Sequence, residues 1–349
     1  MSAPDLRACF AEQARLHVAL QPQDALKLAY QAAFGAEHLL SDPGYVRKRL
    51  YQELVTCPRE QDIPLVEQIS PEICRVNLSP WRAARLPEGW LLGLFVHSCK
   101  PRKDGEARFY QALEALDQLA AEGALPFPVE VWRQARTDYL ARGIRPVHHS
   151  DAYHDAEAPA YRVVEAHYTR LIPLLRRVCP DRPQIIALDG RCASGKTTLA
   201  ADLSTVTGAA VIHMDDFFLP PALRTAERLA APGGNVHYER FIADVLPHLK
   251  EEAAFSYPRF DCGIMALNGE QQVPAGALRI VEGAYSCHPA LGDYMTLRAF
   301  SDIDPAEQQR RILARNGPES WERFRTRWIP LEEAYFEAYR LRERADLLL

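Results

Sequence analysis

Eight consecutive residues, Gly190-Arg191-Cys192-Ala193-Ser194-Gly195-Lys196-Thr197, carry two glycines, a lysine and a hydroxyl at the spacing G-x-x-x-x-G-K-[ST]. Glycines at those positions let main-chain N–H groups turn inward around phosphate oxygens, and a following helix adds the partial positive charge of its N-terminus. Lys196 supplies a point charge for β- and γ-phosphates, and the Thr197 hydroxyl suits Mg²⁺. The expected cradle is Gly190, Ala193, Ser194, Gly195, Lys196, Thr197 and Thr198, with ATP and Mg²⁺ as the implied cofactors. Three further segments could act on a bound phosphate. His213-Met214-Asp215-Asp216-Phe217-Phe218 places carboxylates where a substrate hydroxyl would surrender its proton. Ile280-Val281-Glu282-Gly283 ends in an acid suited to hold Mg²⁺ directly or through water. Arg310, Arg311 and Arg315, followed by Arg323, Arg325 and Arg327, could neutralise charge on a transferring phosphoryl group, although a solvated helix face has the same pattern.

These residues need strand ends and helix starts to hold them. Gln184 to Asp189 is a short apolar, β-branched run that reads as a buried strand, and Thr197 to Thr207 reads as a helix with Leu199 and Leu203 on one face. Further strands are expected at Ala209–His213, Ala277–Val281, Leu297–Phe300 and Leu347–Leu349. Helices are expected at Tyr238–Glu252, Pro305–Arg315 and Leu331–Arg344, the second with Asp304 as N-cap and Pro305 at the first helical position. Such alternation builds a parallel sheet with helices on both faces, and ligands collect at the carboxyl ends of its strands.

Upstream of the helix-breaking Cys179-Pro180-Asp181-Arg182-Pro183, the pattern is mostly helical, which sets a domain boundary at residues 180/181. Helices are expected at Asp24–Leu40, Tyr45–Val55, Ala107–Ala121, Val129–Ala141 and Tyr161–Val178. Trp90–Val96 fits a strand or a buried helix, and the stretches near Pro58, Pro64, Pro71, Pro80 and Pro87 read as loops. The fold class expected for the whole chain is therefore α/β, with a P-loop NTPase sheet preceded by a mainly helical domain.

A chain of 349 residues is long enough for two domains. Lys plus Arg numbers 41 against 46 Asp plus Glu, for a net charge of −5, so no general basic surface for nucleic acid or membrane is expected. No apolar run approaches bilayer length, and Met1 to Phe10 lacks the apolar core of a secretory signal. Eight cysteines without a C-x-x-C pair suggest free thiols in a reducing cytoplasm rather than zinc ligands or a disulfide framework.

From about Ile185 onward, the chain resembles the uridine kinase family of P-loop kinases, relatives of nicotinamide riboside kinase, phosphoribulokinase and pantothenate kinase. The matching motifs are GRCASGKTT, HMDDFFLP, GGNVHYERF, IVEGAYSCHP, and a lid-like RRILARNG followed by WIPLEEAYF. The resemblance implies phosphorylation of a small hydroxylated molecule, a nucleoside or similar riboside, with Asp215 as base, Thr197 and Glu282 at Mg²⁺, and Arg311 and Arg315 as lid arginines. On the acceptor side the match is poorer: His237 stands nearest the family's ribose-gripping aspartate, Tyr238 and Tyr285 are further candidates, and Arg259 and Asp261 could face the acceptor or equally form a surface ion pair. Phe260 and Met265 stand where uridine kinases carry the tyrosine and histidine that read uracil, so the implied chemistry carries over and uridine itself does not.

The resemblance stops short of residues 1–180. Histidines there lie near carboxylates, serines and a tyrosine: Gly35-Ala36-Glu37-His38, Phe95-Val96-His97-Ser98, Pro146-Val147-His148-His149-Ser150, His154 and Tyr161-Arg162. None has the i, i+4 spacing of a helical metal motif. A helical accessory domain for self-association or partner contact is the default, and a second, fused enzyme is the alternative. A nucleotide-dependent switch whose output is this domain is the competing reading for the whole chain, although no N-K-x-D guanine-recognition motif occurs.

Overall fold

A computed structural model describes residues 5–36, 43–59, 63–179 and 182–349. The chain divides into two compact units, Met1–Ile172 and Pro173–Leu349. The junction expected at Pro180–Asp181 lies outside the described residues. All eight cysteines are free thiols, and among the described residues no helix is long and apolar enough to cross a membrane.

The first unit contains α1 (Leu6–Leu16), α2 (Pro22–Phe34), α3 (Pro43–Thr56), β1 (Val66–Gln68), β2 (Ile73–Asn77), α4 (Leu78–Ala83), α5 (Glu88–Ser98), α6 (Gly105–Ala121), α7 (Val129–Ala141), α8 (Asp151–Glu157) and β3 (Tyr161–Glu165). Helical periodicity buries Phe10, Leu26, Leu28, Phe109, Leu113, Leu116 and Trp132 in one core. Two sequence expectations need correction. Tyr161–Val178 is not a helix: Tyr161-Arg-Val-Val-Glu165 pairs antiparallel with β2, and only a 3-10 turn and the single-turn α9 (Ile172–Leu175) follow. The proline-punctuated loops conceal β1 and β2, which complete a three-stranded sheet in the order β1-β2-β3. A β-branched run favours extended backbone, and here pairing outweighs the weak helical pattern. Trp90–Val96 lies within α5.

The second unit carries β4 (Gln184–Gly190), α10 (Lys196–Thr207), β5 (Ala210–His213), α11 (Ala226–Ala230), α12 (Tyr238–Asp244), the antiparallel hairpin β6 (Phe255–Asp261) and β7 (Ala266–Val273), β8 (Leu278–Glu282), β9 (Leu297–Ser301), α13 (Pro305–Arg323), α14 (Ile329–Tyr339) and β10 (Leu347–Leu348). Its main sheet is parallel throughout, in the order β10-β9-β4-β8-β5. All seven residues of β4 are buried, as a central strand covered on both faces requires. Because the strands run parallel, the carboxyl ends of β4, β5 and β8 deliver Gly190, His213 and Glu282 to one edge. Helix α12 stops at Asp244 rather than Glu252, since Pro247 cannot continue it and a 3-10 turn at Leu246–His248 follows. Asp304 caps α13 by accepting the Ala306 and Glu307 amides, and the helix kinks at Gly317-Pro318. A π-helical stretch, Phe324–Trp328, joins it to α14.

Candidate nucleotide and acceptor site

The turn from β4 into α10 is held from below by Asp189. This fully buried carboxylate accepts the amides of Gly190 (2.7 Å) and Cys287 (2.8 Å) and the hydroxyl of Tyr335 (2.9 Å). Ala193 and Gly195 adopt positive φ, and α10 begins at Lys196, so its first amides have no partner within the helix. The Lys196 ammonium donates to the carbonyls of Gly190 and Arg191, both at 2.7 Å. The helical segment α13–α14 grips the outside of the loop. Gln308 donates to the Cys192 carbonyl (3.0 Å), Arg311 to the carbonyls of Ala193 (3.2 Å) and Ser194 (3.4 Å), and Arg191 forms a two-toothed pair with Glu333. The Cys192 amide donates to the Glu332 carboxylate at 2.9 Å.

A cleft of about 360 Å³ opens beside this loop, lined by Lys196, Thr197, Asp215, Glu282, Tyr285 and Arg315 among others. The paired aspartates have diverged. Asp216 is buried, accepting from the Tyr257 hydroxyl (2.9 Å) and Arg259 (3.3 Å), with Arg240 on its carbonyl. Asp215 instead opens to solvent within the cleft. Its carboxyl is raised above the usual range, chiefly because protein surrounds it on its other sides and secondly because Glu282 is close, with Lys196 and His213 pulling the other way. Glu282, nearly buried, accepts from the Thr197 hydroxyl (3.3 Å) with one oxygen and meets His213 Nδ1 (2.5 Å) with the other. That bond raises His213 above an ordinary imidazole. Thr197 and Glu282 thus present hard oxygen donors at one point, with Asp215 lining the same cleft, a donor set that fits Mg²⁺.

The expected acceptor residues scatter. Tyr285 lines the cleft at φ +78°. Arg259 is spent on Asp216, and Asp261 accepts the Gly263 amide and the Asn268 side chain at the β6–β7 turn. Tyr238 is sandwiched between Arg228 and His288, its hydroxyl accepting from Arg228 at 2.6 Å. His237 marks the N-cap position of α12 and does not line the cleft. From the same Gly-Gly-Asn-Val-His segment the cleft receives Asn235 instead, buried, with neither amide atom in a hydrogen bond of ordinary geometry. Phe218, Arg224, Met265, Phe324 and Trp328 also line the cleft. A sequence signal for Asn235 existed, a polar residue directly after two glycines, but its direction depends on how that loop closes.

In the first unit, the histidine-bearing segments are partly brought together. His149 Nδ1 meets Asp24 (2.8 Å) and its Nε2 meets the Tyr161 hydroxyl (2.7 Å), which also accepts from Gln31 (3.1 Å). Gln31 and Gln13 accept from the buried Arg75 guanidinium. Burial pushes His149 down to about 4, so it is neutral near pH 7. His148 and His154 are exposed, and Glu37 and His38 lie outside the described residues. Among the described residues no group of three or more His, Cys, Asp and Glu side chains is placed to hold a metal ion. Asp24 also accepts the Ser150 hydroxyl (2.6 Å) and amide (3.0 Å). Asp24→Ala would leave several buried donors unpaired, so we expect a loss of about 3 kcal/mol from the unfolding free energy of this unit. Urea melts followed by tryptophan fluorescence check it; a loss below about 1 kcal/mol would show the network to be dispensable.

No family model and no curated protein sequence matches the chain. Among solved structures, it is similar to a possible uridine kinase from Bacillus stearothermophilus, with 20% identity over 52% of this chain and 96% of that one, at a TM-score of 0.41. It is also similar to a protein described as a fructose transport system kinase from Silicibacter sp. TM1040, with 23% identity over 52% of this chain and 98% of that one, at a TM-score of 0.42. The second unit is an α/β domain in which the glycine-rich loop joins the central strand of a five-stranded parallel sheet to the start of α10.

Proposed function

We propose that the second unit is an ATP-dependent phosphotransferase acting on a hydroxyl of a small molecule, a nucleoside or other riboside. The observation that carries this is the split of Asp215 from Asp216: one carboxylate is consumed by structure, while its neighbour opens into the cleft that Lys196 and Thr197 also line. A switch needs no such acceptor-facing base; a kinase does. The Gly190–Thr198 loop would hold the triphosphate, with Lys196 swinging from its carbonyl contacts to the β- and γ-phosphates. Thr197 and Glu282 would hold Mg²⁺, which when bound screens charge on the phosphates, while His213 orients the Glu282 carboxylate. Asp215, its carboxyl raised toward a base's working range, would take the proton of the attacking hydroxyl. Arg311 and Arg315, on one face of α13, would steady the transferring phosphoryl group. Phe218, Tyr285 and Trp328 offer flat apolar faces to a ring, and Asn235 a donor and an acceptor to its polar edge.

ATP turnover against a panel of nucleosides, ribosides and simple sugars tests this. ADP release should depend on one acceptor class and consume it mole for mole. Slow hydrolysis that no hydroxylated acceptor stimulates would overturn the proposal in favour of a switch.

A further inference from the structure

Resting on the nucleotide-binding reading above, one carboxylate in the site has no place in the chemistry so far. Glu332 projects from the first turn of α14 onto the P-loop and is buried there. It accepts the Cys192 amide at 2.9 Å and lines the same cleft as Lys196 and Thr197. A loop built to receive anionic oxygens therefore already has one, supplied by the protein. The neighbours hold it firmly: Glu333 pairs with Arg191, and Tyr335 donates to Asp189, so just beyond Glu332 α14 is fastened to the loop and to the strand end that precedes it. The titratable groups facing it are Lys196, the Cys192 thiol, Asp189 and the Tyr285 hydroxyl. Only one of these, Lys196, is cationic, and it is turned to the Gly190 and Arg191 carbonyls.

We propose that Glu332 is a surrogate anion of the P-loop: its carboxylate satisfies the Cys192 amide until a polyphosphate enters, and then takes one proton from solvent. The reason is electrostatic. A triphosphate brings three to four negative charges into a cleft that Glu332 shares, and an unprotonated buried carboxylate beside them is strongly disfavoured. Burial already raises Glu332 to about 7, with Lys196 and the Cys192 amide holding it from going higher. At neutral pH both forms are therefore accessible, and an added anion tips the balance to the neutral acid. Glu332 is thereby a positioning residue: it keeps the loop's third residue oriented and makes nucleotide affinity depend on pH. The sign follows from linkage. The nucleotide-bound form holds more protons than the free form, so binding weakens as pH rises through the free carboxyl's value.

Isothermal titration of the full chain with a non-hydrolysable ATP analogue and Mg²⁺, in two buffers of different ionisation enthalpy, counts the protons taken up. Wild type should take up roughly 0.5 proton at pH 7 and roughly 0.9 at pH 8, and lose about tenfold in affinity between pH 6 and pH 8. In Glu332→Gln this share of the uptake and of the pH dependence should disappear, with affinity at pH 8 about tenfold above wild type. Glu332→Asp, which keeps a titratable group, should retain uptake. Equal proton counts and parallel pH profiles in wild type and Glu332→Gln would overturn the proposal while leaving nucleotide binding intact. Absence of uptake in wild type at pH 8 would overturn it without any variant. If neither protein binds the analogue even at pH 6, the nucleotide reading itself fails and this inference with it.

Discussion

Asp215→Asn should lower turnover by about 10² or more while leaving ATP affinity within a few-fold of wild type. Asparagine matches the shape of the carboxylate but cannot accept a proton from an attacking hydroxyl. Asp215 makes no hydrogen bond that would tie it to the scaffold among the described residues, and it lines the cleft, so its loss should disturb chemistry more than folding. Its neighbour supplies the control. Asp216→Asn removes charge from a carboxylate that Tyr257 and Arg259 bind, at a buried position, and we expect it to act on stability, by about 2 kcal/mol, before it acts on rate. The pH profile adds a second check. A base must be ionised, so kcat/KM should fall as pH drops through the Asp215 value, and because that carboxyl is raised, the acid limb should lie above the range of an exposed aspartate. Calorimetric titration of the ATP analogue, with single-turnover assays on the acceptor found in the panel, measures both effects. Wild-type turnover by Asp215→Asn would remove it from the mechanism, and reversed roles for the two aspartates would point to a different acceptor pose.

Much of the second unit could be read from its sequence because each chemical group sits at a strand end, where local pattern and global position coincide. The β4 run, the loop and the start of α10 occupy consecutive residues, and parallel pairing needs no further information to bring Gly190 and Glu282 to one edge. What escaped depends on direction rather than position. His237 and Asn235 are two residues apart, yet the isolated pairing of Phe218 with Val236 and the close approach of Gly234 to the Arg228 carbonyl decide which of them enters the cleft. Glu332 escaped for another reason. Its role depends on α14 lying against a loop some 140 residues earlier in the chain, and a glutamate in a helix's first turn reads simply as favourable to the helix dipole.

In the first unit α2, α3, α6 and α7 were legible from apolar spacing, whereas α1, α4, α8 and the sheet were not. Strand β2 is buried at all five positions and carries Arg75 in its centre, so neither the two-residue alternation of a half-exposed strand nor a purely apolar run is visible. Arg75 is tolerated because Gln13 and Gln31, from two different helices, accept from it and the Tyr161 ring lies against it at 4.5 Å. Such a network is assembled from residues far apart in sequence, and histidine spacing alone cannot announce it.

Gly190→Ala should be among the most damaging single substitutions in the chain, and for a reason that the phosphate motif does not supply. Gly190 has φ of +131°, a region that L side chains rarely adopt. A Cβ there would stand 2.1 Å from the Ser301 carbonyl oxygen and 2.7 Å from its nitrogen. Those atoms are backbone of β9, paired with β4 at that residue, and the same carbonyl accepts the Arg191 amide at 3.1 Å. The methyl group cannot turn aside and neither strand can retreat without breaking the pairing that launches the loop. We therefore expect a loss of ~3–5 kcal/mol, measurable without any nucleotide. Gly208 separates conformation from crowding, because its φ is +75° at the C-cap of α10 and its Cβ would meet nothing within 4 Å. Gly208→Ala should cost only the strain of a positive φ, about 1 kcal/mol. Chemical denaturation of both variants decides the matter. If Gly190→Ala unfolded no more readily than Gly208→Ala, the glycine would be required for phosphate contact alone, and the close packing of β4 on β9 would not be what fixes the loop.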